Sequence, residues 1–458
     1  MTFLDAGHDV TIHLPECAVA VIHGFLGRAE APDLSCVAKP HPADLHGGTA
    51  VTPTKGIRMF GSRLGVALAL FGLSLTACTA SPTAPVAAPQ EAPPPYAAAL
   101  EPQITALMQQ LQIPGALVFV DAPGKGTWRA ALGSSAVPGG RPMQLDDHMR
   151  IGSVTKTITA DVVLQLAGQN RLDLDDPVSK FLPATLNGSA MTVRQLLNMT
   201  AGVFNFTEDD YFNRALDATP QRPWTAAETI DIAMAHPPYF APGAGFHYSN
   251  SNYEMLGVIA EQVGRKPLAA LYAELVTTPL GMAQTSLPAW DDTAMPDPHP
   301  QGYMFGTNEI GNAAYNAALA GDKAKAQITV APGTQPKDVT LLPVNGQASG
   351  GAISTLGDMA IWAKALGTGQ LLTPQLQTER TQYGAGSGYG LGLQRTTSGL
   401  VGHDGAVPGF QSSVYFHPPT GTSIVVLTNL LLAPNTYFPE ALPAERITQL
   451  VQQAVIEG

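Results

Sequence analysis

The stretch GLVGHDGAVPGFQSSVYFHPPTGTSIVVLTNL, residues 399–430, divides into three short runs: GLVGHDG (399–405), GFQSSVYFHP (409–418) and TSIVVLTNL (422–430). Runs rich in Val, Ile, Tyr and Phe between Pro- and Gly-containing breaks read as strands, and this spacing reads as an antiparallel meander. GYGLGLQ (388–394) reads as one more strand ahead of them. Working outward, the front of the folded region holds ALVFVDA (116–122), the turn Pro123-Gly124-Lys125-Gly126 and TWRAALG (127–133), a β-hairpin. A helix is predicted over 96–112, ended by Ile113-Pro114, and another over 439–456. Between the two strand-rich ends the pattern is helical, at 154–169, 192–199, 225–235, 251–264, 267–275 and 357–367, with long Pro/Gly loops, notably 281–311. The expectation is an α/β (α+β) fold. Both chain ends build one antiparallel sheet flanked by helices, and the middle forms a mostly helical second lobe. A site is expected in the cleft between them.

Composition narrows the function classes. The 458 residues carry 24 basic and 36 acidic side chains, a net of −12, so there is no basic footprint for nucleic acid. The apolar share is 45% and the charged share 13%, which excludes a disordered chain. Cys17, Cys36 and Cys78 all lie in the first fifth of the chain, which excludes a cysteine nucleophile, a thiolate metal site and a disulfide from the main domain. No His-Glu-x-x-His occurs, so no metal or other cofactor is called for.

Residues 59–78, MFGSRLGVALALFGLSLTAC, place Met59 and Arg63 ahead of an apolar run, Leu64 to Leu75. That run has the length of a signal-peptide core and is too short to span a bilayer. Its end, Leu75-Thr76-Ala77-Cys78, looks like a bacterial lipoprotein signal, which implies a signal peptide over 59–77 and lipidation of Cys78. The Pro/Ala-rich segment 78–95 then reads as an extended tether. These features predict an exported domain, 96–458, lipid-anchored to a bacterial membrane and facing the periplasm or exterior, with no other membrane contact. Residues 1–58 precede the signal and show no clear periodicity, so translation is expected to start at Met59.

Three short stretches carry chemistry. Ser153-Val154-Thr155-Lys156 is the only Ser-x-x-Lys in the chain. Residues i and i+3 share a helix face, so the Lys156 amine can reach and activate the Ser153 hydroxyl. A helix N-terminus also supplies positive potential where an oxyanion develops. Tyr248-Ser249-Asn250 lies in a polar loop before the helix near Tyr253. A phenolate favoured by a nearby cation can act as a base, and Asn250 offers both a donor and an acceptor. His403-Asp404-Gly405 ends a predicted strand, with Ala406-Val407-Pro408-Gly409 turning into the next, so His403 could present a titratable positive charge.

In this order the three stretches resemble the serine β-lactamase and penicillin-binding-protein superfamily. The resemblance is to the branch of class C β-lactamases, D-alanyl-D-alanine carboxypeptidases and family VIII esterases. RIGSVTK (150–156), LDLDDPVSKFLP (172–183), TVRQLLNMTAGV (192–203), SGGAISTLGDMAIWAKAL (349–366), YGLGL (389–393) and GHDGAVPGFQSSV (402–414) support it. The resemblance implies that Ser153 is acylated, that Lys156 and Tyr248 relay the proton, and that Asn250 positions the substrate. It places His403 and Gly405 on the strand edging the site, with the N–H groups of Ser153 and Ala406 as the oxyanion hole. Which of Lys156 and Tyr248 is the base stays open. Class C β-lactamases have Lys-Thr-Gly where this chain has His403-Asp404-Gly405, which counts against strong β-lactamase activity. No Gly-x-Ser-x-Gly elbow occurs. The expected substrate is a small peptide, ester or lactam. First stands a cell-wall peptide ending in D-Ala-D-Ala, its carboxylate met by protonated His403. A family VIII-type ester or weak β-lactamase activity, and slow penicillin binding without turnover, are the alternatives.

Overall fold

The computed structural model describes residues 92–384 and 386–457. The readings made for 1–91, including the signal, Cys78 and most of the tether, lie outside the described residues.

Along the chain run α1 (Pro95–Leu111), β1 (Gly115–Ala122), β2 (Gly126–Gly133), α2 (Thr155–Gly168), α3 (Asn250–Gly264), α4 (Asn308–Leu319), α5 (Leu356–Thr368), α6 (Pro374–Arg380), β3 (Gln394–Arg395), β4 (Val401–Val407), β5 (Phe410–His417), β6 (Thr422–Thr428) and α7 (Pro443–Gln452), with shorter elements between them. The main sheet has the order β2-β1-β6-β5-β4-β3, antiparallel throughout. Ala116 sits opposite Thr428, so the first and last strands meet at the sheet centre, as the two-ended reading requires.

Both faces of this sheet are apolar because helices cover both. In β1, Ala116, Val118 and Val120 join a core with Leu100, Ile104, Ile447 and Val451 of α1 and α7. Leu117 and Phe119 point the other way, into the core that holds Met359, Trp362 and Leu366 of α5. Period-2 alternation in a strand assigns its side chains to the two cores in turn. α1 begins with Pro at its first position and ends at Gln112 in the left-handed region, φ 55°, ahead of Pro114.

Four expectations are corrected. GYGLGLQ is not a strand: Gly388 (φ 65°) and Gly392 (φ 78°) turn the chain back, and only Gln394–Arg395 pairs with β4. A Cβ on Gly392 would lie 2.1 Å from that of Ala160, so the loop presses directly on α2. β4 runs on to Val407, leaving only Pro408-Gly409 for the turn. The last helix starts at Pro443 rather than 439 and continues as a wider turn over 453–457. The expected loop 281–311 contains the start of α4, whose amide- and Ala-rich sequence lacks an apolar stripe but is capped by Thr307 accepting from Ile310 N–H.

Helix α2 carries the Ser-x-x-Lys stretch and is buried on nearly every side. One buried ion pair holds it. Arg380 of α6 donates to Asp161 Oδ2 at 2.6 Å and to the Thr157 carbonyl at 2.9 Å, with both side chains almost fully enclosed. Removing one partner of such a pair leaves a bare buried charge. Arg380→Ala is therefore expected to lower stability by about 3–5 kcal/mol, measured as a reduced urea midpoint. A midpoint unchanged from the parent would show that α2 is held by packing alone.

Candidate active site

The chain reaches α2 through Ile151, whose N–H bonds the Ala352 carbonyl, and then through one tight turn, Gly152–Val154. Gly152 has φ 51°, and a Cβ there would lie 2.6 Å from the backbone nitrogen of Ala406. On β4, a Cβ on Gly405 would lie 2.1 Å from the Ile151 oxygen and 2.9 Å from the Ser153 nitrogen. Two facing glycines thus let β4 lie flush against the turn that carries Ser153. Ser412 of β5 secures the contact, its hydroxyl donating to the Ile151 carbonyl at 2.7 Å. Because β3 pairs only with Val401 and Gly402, the rest of the β4 edge has no strand partner among the described residues. Ala406 on that edge lines the same cavity as Ser153.

The Lys156 amine is fully buried one turn along. Nζ donates to Ser153 Oγ at 3.0 Å, Asn250 Oδ1 at 2.6 Å and the Ser349 carbonyl at 2.7 Å. Burial lowers its pKa to about 7, against the opposing pull of Glu254 and Asp404. Glu254 is itself buried, its carboxyl raised by burial, and it accepts the Ser349 N–H at 2.9 Å.

Tyr248 meets the same point from the third stretch. Its side chain lies close to Ser153 and lines the same cavity, and Lys156 Nζ lies 5.0 Å from its ring centroid. Burial raises the Tyr248 phenol well above its ordinary range, opposed by Ser153 and reinforced by Asp404, which runs against a favoured phenolate. Asn250 opens α3. Its Nδ2 donates to Asn205 Oδ1 at 3.2 Å and Thr207 Oγ1 at 3.0 Å, which leaves Oδ1 turned to Lys156. The amide orientation follows from this network.

His403 does not take its expected place. It sits in mid-strand, 1% exposed, behind Tyr389, whose hydroxyl lies 3.0 Å from Nε2. Nδ1 faces the Asp404 backbone carbonyl. A ring with an acceptor at one nitrogen and a hydroxyl at the other is satisfied as the neutral form. Burial lowers its pKa, against the opposing pull of the Asp404 carboxylate 3.6 Å from Nδ1 and with Lys156 adding to the lowering. His403 is therefore not a cation offered to substrate, and the side chain of this stretch that lines the cavity is Asp404.

The cavity has a volume of about 650 Å³. Ser153, Tyr248, Asn250 and Ala406 line it together with the apolar Phe305, Leu319, Leu432 and Phe438 and the amides of Asn205, Asn213, Asn308 and Asn312. The structure thus brings together Ser153, Lys156, Tyr248, Asn250, Gly405 and Ala406, and sets His403 behind them. Asn205, Thr207, Glu254, Tyr389 and Asp404 complete the surroundings without having been read from the sequence as functional. Ser349 lay within a quoted stretch, but its contribution is a backbone carbonyl, which no side-chain motif reveals.

A family profile described as Beta-lactamase matches residues 100–446, most of the chain. The chain belongs to the beta-lactamase family. Members of this family are serine hydrolases, and the antiparallel sheet with its helical lobe is their architecture. Esterase EstB of Burkholderia gladioli is 32% identical over 197 residues, 41% of this chain and 50% of that protein. The D-alanyl-D-alanine-carboxypeptidase/endopeptidase AmpH of Escherichia coli K12 is 26% identical over 246 residues, 52% of this chain and 54% of that protein. The chain thus spans about half the length of the curated relatives it matches. Among solved structures, a D-stereospecific amidohydrolase from Streptomyces sp. superposes with TM-score 0.61 at 29% identity, covering 77% of this chain and 97% of its own. A D-amino acid amidase from Ochrobactrum anthropi shares the fold at 24% identity, TM-score 0.64, covering 78% and 99%.

Proposed function

We propose that this beta-lactamase-family protein hydrolyses small esters or amides through an acyl-enzyme on Ser153. The carrying observation is the convergence of the Lys156 amine and the Tyr248 side chain on Ser153, which with Tyr248 lines the cavity. Two of the three acceptors around Lys156, Asn250 Oδ1 and the Ser349 carbonyl, have no proton to give. A neutral amine spends both N–H bonds on these and turns its lone pair to Ser153 Oγ. Lys156 is the base in this reading. Ser153 Oγ adds to the substrate carbonyl as its proton passes to Lys156. The N–H groups of Ser153 and Ala406 take up the developing oxyanion. Tyr248, still protonated, gives its proton to the leaving oxygen or nitrogen and recovers one from Lys156. Water then enters along the same route, gives a proton back through Tyr248 and Lys156 to Ser153, and releases the acid.

The esterase and amidohydrolase relatives support ester or amide substrates. A carboxypeptidase needs a cation for the free carboxylate. Here His403 is enclosed and Asp404 lines the cavity instead, which favours uncharged or amine-bearing substrates over D-Ala-D-Ala ends. The segment 59–95 supports the further proposal of an exported protein lipidated at Cys78, to be tested by metabolic labelling with a fatty-acid probe.

Intact-mass analysis after treatment with a fluorophosphonate is the direct test. One adduct is expected on the parent protein and none on Ser153→Ala. Equal labelling of both would remove Ser153 as the nucleophile. Parallel turnover of a short-chain nitrophenyl ester, a D-Ala-D-Ala peptide and a cephalosporin ranks the substrate classes, with the ester expected first.

A further inference from the structure

The cavity wall carries one charge that the acyl-transfer chemistry does not use. Among the described residues lining the cavity, Asp404 is the only acid, and no Lys, Arg or His lines it. Its carboxylate is held rather than loose. Gln394 Nε2 donates to Asp404 Oδ1 at 2.6 Å and lies 2.6 Å from the Tyr415 hydroxyl, which fixes the amide. Oδ2 has no hydrogen-bond partner among the described residues. Glu445 of α7, half-buried and outside the cavity lining, has its carboxyl raised to about 8 by burial and then by Asp404. The wall therefore presents a single carboxylate, with one oxygen anchored and the other open.

Its position relative to the reacting atoms follows from strand geometry. Asp404 and Ala406 are two residues apart on β4, and a strand advances about 3.3 Å per residue, so they are separated by roughly 6.6 Å. A carbonyl oxygen at the Ala406 N–H and an ammonium at Asp404 Oδ2 are both reached by a substrate whose amine lies about two to four bonds from the scissile carbonyl. Lys156 feels this charge but makes no hydrogen bond to it, its amine being directed to Ser153, Asn250 and Ser349. A substrate carboxylate at the same place would meet like charge.

We infer that Asp404 is a specificity-determining residue that selects substrates bearing a free ammonium group close to the scissile carbonyl, aminoacyl esters and amides, and rejects those with a carboxylate there. This rests on Ser153 being the nucleophile. The test compares nitrophenyl esters of alanine with a free amine, an N-acetyl cap and an N-succinyl cap. The full chain should favour the free amine at least tenfold over the N-acetyl ester in kcat/KM, and turn over the N-succinyl ester least. In Asp404→Asn that amine-to-acetyl ratio should fall at least tenfold. A ratio within twofold of the parent overturns the inference. Competition against the N-acetyl ester in unaltered protein gives a readout independent of any variant's folding: propylammonium is expected to inhibit more strongly than propionate, and equal inhibition overturns the inference. Failure of the underlying reading looks different, since no ester would then leave an acyl group on Ser153.

Discussion

Lys156→Ala is expected to lower kcat/KM for a neutral nitrophenyl ester by about 10²–10⁴-fold, the range a positioned general base contributes. The buried amine is the only group in contact with Ser153 Oγ whose pKa lies near working pH: burial holds Lys156 at about 7 and Tyr248 far above it. Lys156→Arg is expected to be as poor, because a guanidinium keeps its proton and has no lone pair to offer. This separates a base from a mere positive charge. The pH profile follows with a definite sign. The reactive form is the unprotonated amine, so kcat/KM for an uncharged substrate should rise with pH through about 7 and level off above it. A flat profile from pH 5 to 9, or a loss below tenfold in the alanine variant, would move the base elsewhere.

Gly405→Val should lower kcat by about 10²–10³-fold, the cost of displacing one oxyanion donor. The cause is steric and local. The first carbon of any side chain at 405 would stand 2.1 Å from the Ile151 oxygen and 2.9 Å from the Ser153 nitrogen, both backbone atoms. β4 would have to move away from the nucleophile turn and carry the Ala406 N–H with it. Fluorophosphonate titration counts the competent molecules, so the loss per labelled site can be separated from any loss of folded protein. A variant that labels and turns over at the parent rate would show that Ala406 is not part of the oxyanion site. Gly152→Ala should act in the same direction from the other side, with an added penalty for its φ of 51°.

Much of this was legible in the chain because local patterns carried it. The 399–430 meander, the 116–133 hairpin and α1 each combine a clear period with a Pro or Gly stop, and each was found within a few residues of its expected bounds. Ser153, Lys156, Tyr248 and Asn250 were legible because helix spacing and short motifs mark them. What stayed hidden has a physical reason in each case. α4 buries only Ala314 in the core and turns Asn308, Asn312, Tyr315 and Leu319 to the cavity, so its apolar residues are few and mostly small. GYGLGLQ carries the residues of a strand, but its glycines were needed for left-handed turns against α2. His403 and Asp404 alternate on β4, and the period alone could not say which of the two would face the substrate. Burial decided it, putting the imidazole behind Tyr389 and the carboxylate on the wall. Glu254 and Asn205 act through neighbours far away in sequence, so no motif could announce them.

The meeting of first and last strands at the sheet centre also sets a schedule for the newborn chain. The N–H of Gly115 binds the side chain of Asn429, 314 positions later. β1 cannot complete its layer from its own neighbourhood, because the strand that lies on its other side, β6, follows only after the whole helical middle. The sheet therefore closes around long-range pairings, which form slowly and leave strand edges exposed meanwhile. A chain ended before Thr422 would lack β6 and leave β1 with β2 as its only partner in the main sheet.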